Sequence, residues 1–266
     1  MSIAEVQQLD LDKKEYRVYR LNGVDRPIVA RKGGPTSADV KEKETYQELR
    51  NNQKEFGLAS MLAKTLRDAI PASISRINEK YASGKLTAQF RGLAQYEEGE
   101  TGKRPILLSK HGESLSGFEF NSKRPFSEGF DVKYFVRQGS HRGHVLLNFP
   151  AFVPLNAFKV PEGATNFKVN AQLTVISDYY FDKEQEAYIG HNKDYNGMSG
   201  YFESPMLPVL KIPTQSITTH LSANNGKPVP EKTGLVLLMS LRFFRYQDFQ
   251  FYQMDDESSM QITKVF

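Results

Sequence analysis

The chain of 266 residues has no cysteine and no tryptophan. Without cysteine there is no disulfide framework, no thiolate nucleophile, no thiolate zinc site and no iron–sulfur cluster. The compartment stays open on that count, because a reducing cytoplasm and an oxidising exterior both accommodate such a chain. Without tryptophan, the aromatic part of the core falls to 18 Phe and 13 Tyr. No apolar run approaches the roughly 18 residues that mark a membrane-spanning helix. The longest such stretch, residues 234–241, contains Ser240. Residues 1–20 hold no apolar signal segment, so the expected localisation is cytoplasmic as synthesised.

Charge of neither sign dominates. The 35 Lys/Arg and 31 Asp/Glu leave a net +4. Residues 1–110 hold 20 bases and 15 acids, a balance of +5, and residues 111–266 hold the other 15 and 16, a balance of −1. The basic excess therefore belongs to the N-terminal part. Acids interleaved through it read as a solvated helical surface, whereas a nucleic-acid footprint needs a concentrated patch.

What the sequence does have is alternation. In residues 166–176, Phe167, Val169, Ala171, Leu173 and Val175 are apolar, and Asn166, Lys168, Asn170, Gln172 and Thr174 between them are polar. Successive side chains of a strand point to opposite faces, so the pattern predicts one buried and one wet face of an antiparallel sheet. Further strands are predicted at 118–120, 132–136, 145–149, 187–189, 209–212, 217–221, 234–246, 249–254 and 260–265, punctuated by Pro and Gly as in a sandwich.

The N-terminal half has a helical period instead. Phe56, Ala59, Ala63, Leu66 and Ile70 recur at spacings of three and four within 44–70, and Pro71 should stop that helix. A second helical region carries Ile74, Ile77, Tyr81, Leu86, Phe90 and Leu93. Before both, residues 16–21 and 28–30 flank Asn22-Gly23, the preferred pair for a type I′ hairpin turn. Arg31-Lys32-Gly33-Gly34-Pro35 breaks the strand, and Thr36 or Ser37 can cap the helix that follows. The expected fold class is α+β: an N-terminal β-hairpin and a small helical unit, then an antiparallel β-sandwich. The expected segments are an arm over 1–35, a helical unit over 36–110 and the sandwich over 111–266.

No segment carries a complete catalytic or metal motif. Gly112-Glu-Ser-Leu-Ser116 lacks the second glycine of a nucleophile elbow and reads as a loop. His141-Arg-Gly-His144 offers two imidazoles with no third ligand nearby in sequence, and reads as an exposed turn. Asp194-Tyr-Asn-Gly197 and Asp255-Asp-Glu257 lack the ligand order of a calcium loop and read as turns. Arg31–Gly34 offers backbone N–H groups for phosphate but no P-loop Lys-Ser/Thr. Residues 242–254 mix arginines with aromatics and turn near Gln247-Asp248. They read as core plus edge, with stacking on single-stranded bases as the competing possibility.

One set of motifs resembles a known group. Ala30-Arg-Lys-Gly-Gly-Pro35, Arg50-Asn-Asn52, Glu55-Phe-Gly57, Ala63-Lys64, Leu66-Arg67, Gly117-Phe-Glu-Phe-Asn121, Pro150-Ala-Phe-Val-Pro154 and 161–167 run along most of the chain. Together they resemble a family of uncharacterised Bacteroidota proteins. The resemblance implies a bacterial origin and a single co-evolved architecture, and it implies no chemistry.

These features point to a structural subunit rather than an enzyme, one that self-associates through its N-terminal arm and its sheet edges. The candidate assembly residues are Tyr16, Val18, Tyr19 and Leu21 of the first strand, Gly33 and Gly34 of the joint, and Phe244, Tyr246, Ile262 and Val265 of the C-terminal strands. No cofactor, metal or membrane span is expected, and the expected partner is another copy of the chain, with nucleic acid not favoured. The alternatives are a module binding sugar, peptide or nucleic acid on sandwich loops, and a hydrolase whose carboxylates meet only on folding.

Overall fold

In the computed structural model, the residues described are 16–20, 26–31, 33–75 and 81–266. A hairpin comes first: β1 (Tyr16–Tyr19) pairs antiparallel with β2 (Ile28–Arg31), from Tyr16 opposite Arg31 to Tyr19 opposite Ile28. Leu21 and the predicted Asn22-Gly23 turn lie outside the described residues. Among the described residues, four α-helices follow: α1 (Ser37–Glu42), α2 (Gln47–Asp68), α3 (Ala72–Ser75) and α4 (Ala82–Leu93). Thr36 caps α1, accepting from Asp39 N at 3.1 Å while its own N donates to Asp39 Oδ2 at 3.0 Å. Ile77 of the predicted second helical region lies outside the described residues.

The rest is mostly strand. Short helices α5 (Leu108–His111) and α6 (Phe126–Gly129) precede β3 (Phe135–Gln138) and β4 (His144–Phe149). Then come α7 (Pro154–Ala157), β5 (Asn166–Ser177), β6 (Tyr179–Asp182), β7 (Ala187–Gly190) and β8 (Ser199–Glu203). The chain closes with β9 (Leu207–Pro208), β10 (Ile217–Ser222), β11 (Thr233–Gln247), β12 (Gln250–Gln253) and β13 (Ser259–Val265). The fold is α+β, as predicted, with antiparallel sheets and a sandwich-like region.

Contacts divide the chain into two units, the residues up to Arg50 and Asn51–Phe266. That division coincides with neither of the boundaries expected at 35 and 110. In the first unit none of the described residues is buried. The second unit contains two hydrophobic clusters on opposite faces of one sheet.

That sheet runs β12-β11-β5-β8, with β13 also on β11 and β9 on β5. Its spine is the long β11–β5 pair, in register from Thr233 opposite Ser177 to Phe244 opposite Asn166. On one face, Phe167, Val169, Ala171, Leu173 and Val175 join Leu235, Leu237, Met239, Leu241 and Phe243. They pack with Val145, Leu147 and Phe149 of β4 and Leu221 of β10 from the second sheet, β10-β4-β3. This is the sandwich core that the alternation predicts. Each buried Leu, Val or Phe there stabilises the fold by roughly 1.5–3 kcal/mol.

The other face departs from expectation. Asn170, Gln172 and Thr174 are buried rather than wet. Helices α2 and α4 cover this face, with Leu62, Leu66, Leu86 and Phe90 in one cluster with Ile176, Val236, Leu238 and Ile262. Burial of the polar residues is tolerated because they find partners. Gln172 Nε2 donates to Ala69 O at 2.8 Å and to Thr174 Oγ1 at 2.9 Å. Helices on sheet on sheet are three layers in place of two.

Helix α2 keeps most of the predicted stripe, since Ala59, Ala63, Leu66 and, just past its end, Ile70 are buried, and it departs from it at Phe56. Its buried residues are Glu55, Leu58, Ala59, Leu62, Ala63 and Leu66, and Phe56 is 53% exposed. At 3.6 residues per turn Phe56 lies about 90° from the centre of that stripe, whereas Glu55 lies near it. A charged residue thus holds a core position because it is paired, which periodicity of apolar residues does not register. Residues 209–212 are not a strand, β6 and β8 were not predicted, and 118–120 forms a bridge, Glu119 opposite Gln261, instead of a full strand.

Candidate functional site

The described residues up to Arg50 have no buried core. Residues 16–35 carry Arg17, Arg20, Arg26, Arg31 and Lys32 against a single acid, Asp25. Val18 and Tyr19 are exposed and Tyr16 is partly buried. Gly33 and Gly34 are exposed, and Gly34 sits at φ 101°, a conformation that favours glycine. A side chain at either glycine would meet nothing within 4 Å, so backbone conformation alone favours glycine at 34, and neither packing nor a positive φ favours it at 33.

The β11–β12 hairpin is the second exposed feature. Gln247 pairs with Gln250, so the turn is the two residues Asp248 and Phe249, both in the left-handed region at φ 49° and 60°. That is the type I′ geometry which matches strand twist, but its second position normally holds glycine. Phe249 is 93% exposed. Tyr246 stands opposite Phe251 with ring centroids 4.8 Å apart, and Tyr252 stands opposite Arg245; all three aromatics are exposed. A groove of about 500 Å³ beside them is lined by Arg245, Asp248, Tyr252, Asp255, Asp256 and Glu257 among others.

Three remaining candidates from the C-terminal strands are not available as surface. Phe244, Ile262 and Val265 are buried. Phe244 lies under the Arg242 guanidinium, 5.5 Å from its centroid, and Ile262 and Val265 belong to the helix-facing core. The outer edge of β13, expected to be free, is covered: Gly117 N donates to Ile262 O at 2.8 Å, Phe120 N to Met260 O at 2.9 Å, and Ile262 N to Phe118 O at 3.0 Å. Of the C-terminal candidates, Tyr246 alone is on the surface.

A charged network that periodicity did not reveal lies at one end of the helix-facing sheet surface. Buried Arg242 donates to Asn170 Oδ1 at 2.9 Å, to Ser73 O at 3.1 Å, to Gln253 Oε1 at 3.0 Å and to Glu203. Glu203 also accepts from Lys168, from Tyr201 Oη at 3.0 Å and from Asn170 Nδ2 at 3.2 Å. Burial opposes ionisation of Glu203, but Lys168, Arg242 and Tyr201 outweigh it and hold the carboxyl below the usual range. Burial, with Glu203 beside it, pushes the Tyr201 phenol up to about 12. Through the bond from Arg242 to Ser73 O, the network ties α3 to the sheet.

The motif segments resolve in the same way. His141 and His144 sit around a turn, and β10 brings His220 against them, with His220 Nδ1 3.3 Å from His144 Nε2 and rings stacked at 5.4 Å. Residues 112–115 form a 3-10 helix, and Ser114 Oγ donates to His111 O at 2.9 Å. His111 Nε2 and Lys110 Nζ each lie 2.6 Å from Glu97 Oε1. Asn196 accepts from Ser177 N at 2.7 Å in a turn, and 255–257 is a 3-10 helix. Among the described residues, no group of three or more His, Asp or Glu is arranged to hold a metal, and no helix is long and apolar enough to cross a membrane. No family model matches the chain, and no curated protein or solved structure matches it.

Proposed function

We propose that the chain is a structural subunit that self-associates, with the N-terminal arm as its connector. One observation carries this: the residues up to Arg50 form a paired hairpin and a capped helix, yet none of the described ones is buried. A two-stranded hairpin without a core is marginal in water, because its hydrogen bonds alone do not offset the lost chain entropy. It needs a surface to pack on. A second copy supplies that surface to every chain in turn, and such a heterologous contact makes a ring or an open filament depending on whether its rotation closes. Buried Glu55 is held by Arg104, and partly buried Glu203 by Arg242 and Lys168, while buried Asp178 accepts from Ser109; hydrogen-bonded carboxylates of this kind support a non-enzymatic role. The test is light scattering on the purified chain over a range of concentrations, with negative-stain imaging of the largest species. A mass that rises above one chain and closed or open assemblies are the expected results.

The groove at the β11–β12 hairpin favours a second reading, a module that binds a sugar or peptide there. Retention of a purely monomeric chain on a glycan or peptide array would put that reading ahead.

A further inference from the structure

We propose that the β11–β12 hairpin and its adjoining groove are the receptor for the arm of a second copy. This rests on the self-association proposed above and assigns its other half.

The turn is the first reason. A bulky side chain at a left-handed second turn position is strained, and glycine or asparagine relieves the strain. Phe249 nevertheless stands there, 93% exposed, so its ring returns almost no packing to its own fold. Strain held at an exposed residue points to a use outside the chain. Tyr246, Phe251 and Tyr252 extend the same aromatic surface along the hairpin.

The second reason is the strand edge. Among the described residues, the backbone of β12 pairs with β11 alone. The outer row of N–H and C=O groups is therefore open to an added strand. The edge of β13, by contrast, is covered by residues 117–120.

Charge selects the occupant. The groove is lined by Asp248, Asp255, Asp256 and Glu257 against Arg245, and Arg124 engages Glu257. The arm over 1–35 holds seven bases and five acids, and its described residues carry Arg17, Arg20, Arg26 and Arg31 with no acid, beside exposed Val18 and Tyr19 to meet the aromatics. Opposite charge steers such a strand to this edge and fixes its register. The proposal commits to that occupant: the arm of a neighbouring chain.

The experiment is a charge swap in the full chain, read by light scattering. One variant carries Asp248→Lys, Asp255→Lys and Asp256→Lys; the other carries Arg17→Glu, Arg20→Glu and Arg31→Glu. Each alone should remain at the mass of one chain, and an equimolar mixture should assemble, because each arm then finds an opposite groove. A third variant, Phe249→Gly, should melt at a higher temperature yet associate about tenfold more weakly or worse. That pairing separates docking from folding, since a merely misfolded variant would melt lower. Groove-reversed chains that assemble like the parent, while removal of the arm abolishes assembly, would overturn this receptor and leave self-association standing. A parent chain that is monomeric at every concentration would overturn both.

Discussion

Arg104 holds the buried Glu55 carboxylate as a fork, with Nε donating to Oε2 at 3.2 Å and Nη2 to Oε1 at 2.8 Å. Gly102 N adds a third bond at 3.0 Å. The loop reaches that position because residue 102 is glycine: at φ 85° a side chain there would come within 2.5 Å of the Asn51 backbone. Asn52, one turn before Glu55, accepts from Arg91 at 2.9 Å. The Arg-Asn-Asn and Glu-Phe-Gly segments of helix α2 thus have a structural use. Arg91 Nε also lies 3.8 Å from Glu55 Oε1, so Arg104→Ala removes the fork but not every compensating charge, and it should destabilise the fold in urea unfolding by less than the about 3–5 kcal/mol of stripping a buried charge bare. A loss under about 1 kcal/mol, the scale of a surface pair, would mean that water already solvates Glu55.

Leu66 is fully buried beneath the sheet, in the cluster that holds Val236 and Ile262. Leu66→Ala should cost about 2–5 kcal/mol, from lost transfer energy and the cavity left behind. An unchanged melting temperature would place this helix face outside the core.

The histidine stack predicts a pH dependence. Burial, then His220 and His141 nearby, lowers the His144 pKa below 6.5. The folded state therefore binds its proton less readily than the unfolded state. The contribution to stability is whole above the unfolded value and is lost as pH falls through the lowered folded value. An NMR titration should find His144 titrating below 6.5, and His220→Asn should move it upward. A His144 midpoint at or above 6.5 would contradict the stacked geometry.

Phe249→Gly should stabilise the isolated fold by up to about 1 kcal/mol. Relief of the left-handed conformation outweighs the extra chain freedom that glycine loses. Calorimetry of the variant at concentrations too low for association checks this; a lower melting temperature would show that the ring packs within its own chain.

Much of the C-terminal architecture was legible from alternation alone. Strand β5 spans the residues whose pattern predicts it, and its odd positions are the sandwich core. The fate of its even positions was not legible. Asn170 and Gln172 look the same in sequence whether they face water or a partner, and their partners, Arg242 and Ala69 O, lie 72 and 103 residues away. The covering of β13 by residues 117–120 and the arrival of His220 beside His144 are likewise long-range pairings. Phe56 was misplaced because a paired carboxylate, not an apolar side chain, occupies the centre of the buried stripe. For the proposed assembly site, exposure of Tyr246 and the turn near Gln247-Asp248 follow from pattern. The strained phenylalanine at 249 does not, since only backbone angles disclose it.

The central claim is that the N-terminal arm joins one copy to the next, and the most direct measurement compares masses with and without it. Residues 1–32 include no described residue that is buried, so their removal should leave the core intact. Light scattering should give the full chain a mass that is a multiple of 30.3 kDa, and the truncated chain a folded species at the mass of a single chain. If the full and truncated chains both run as single chains at every concentration, the arm is not a connector and the account fails.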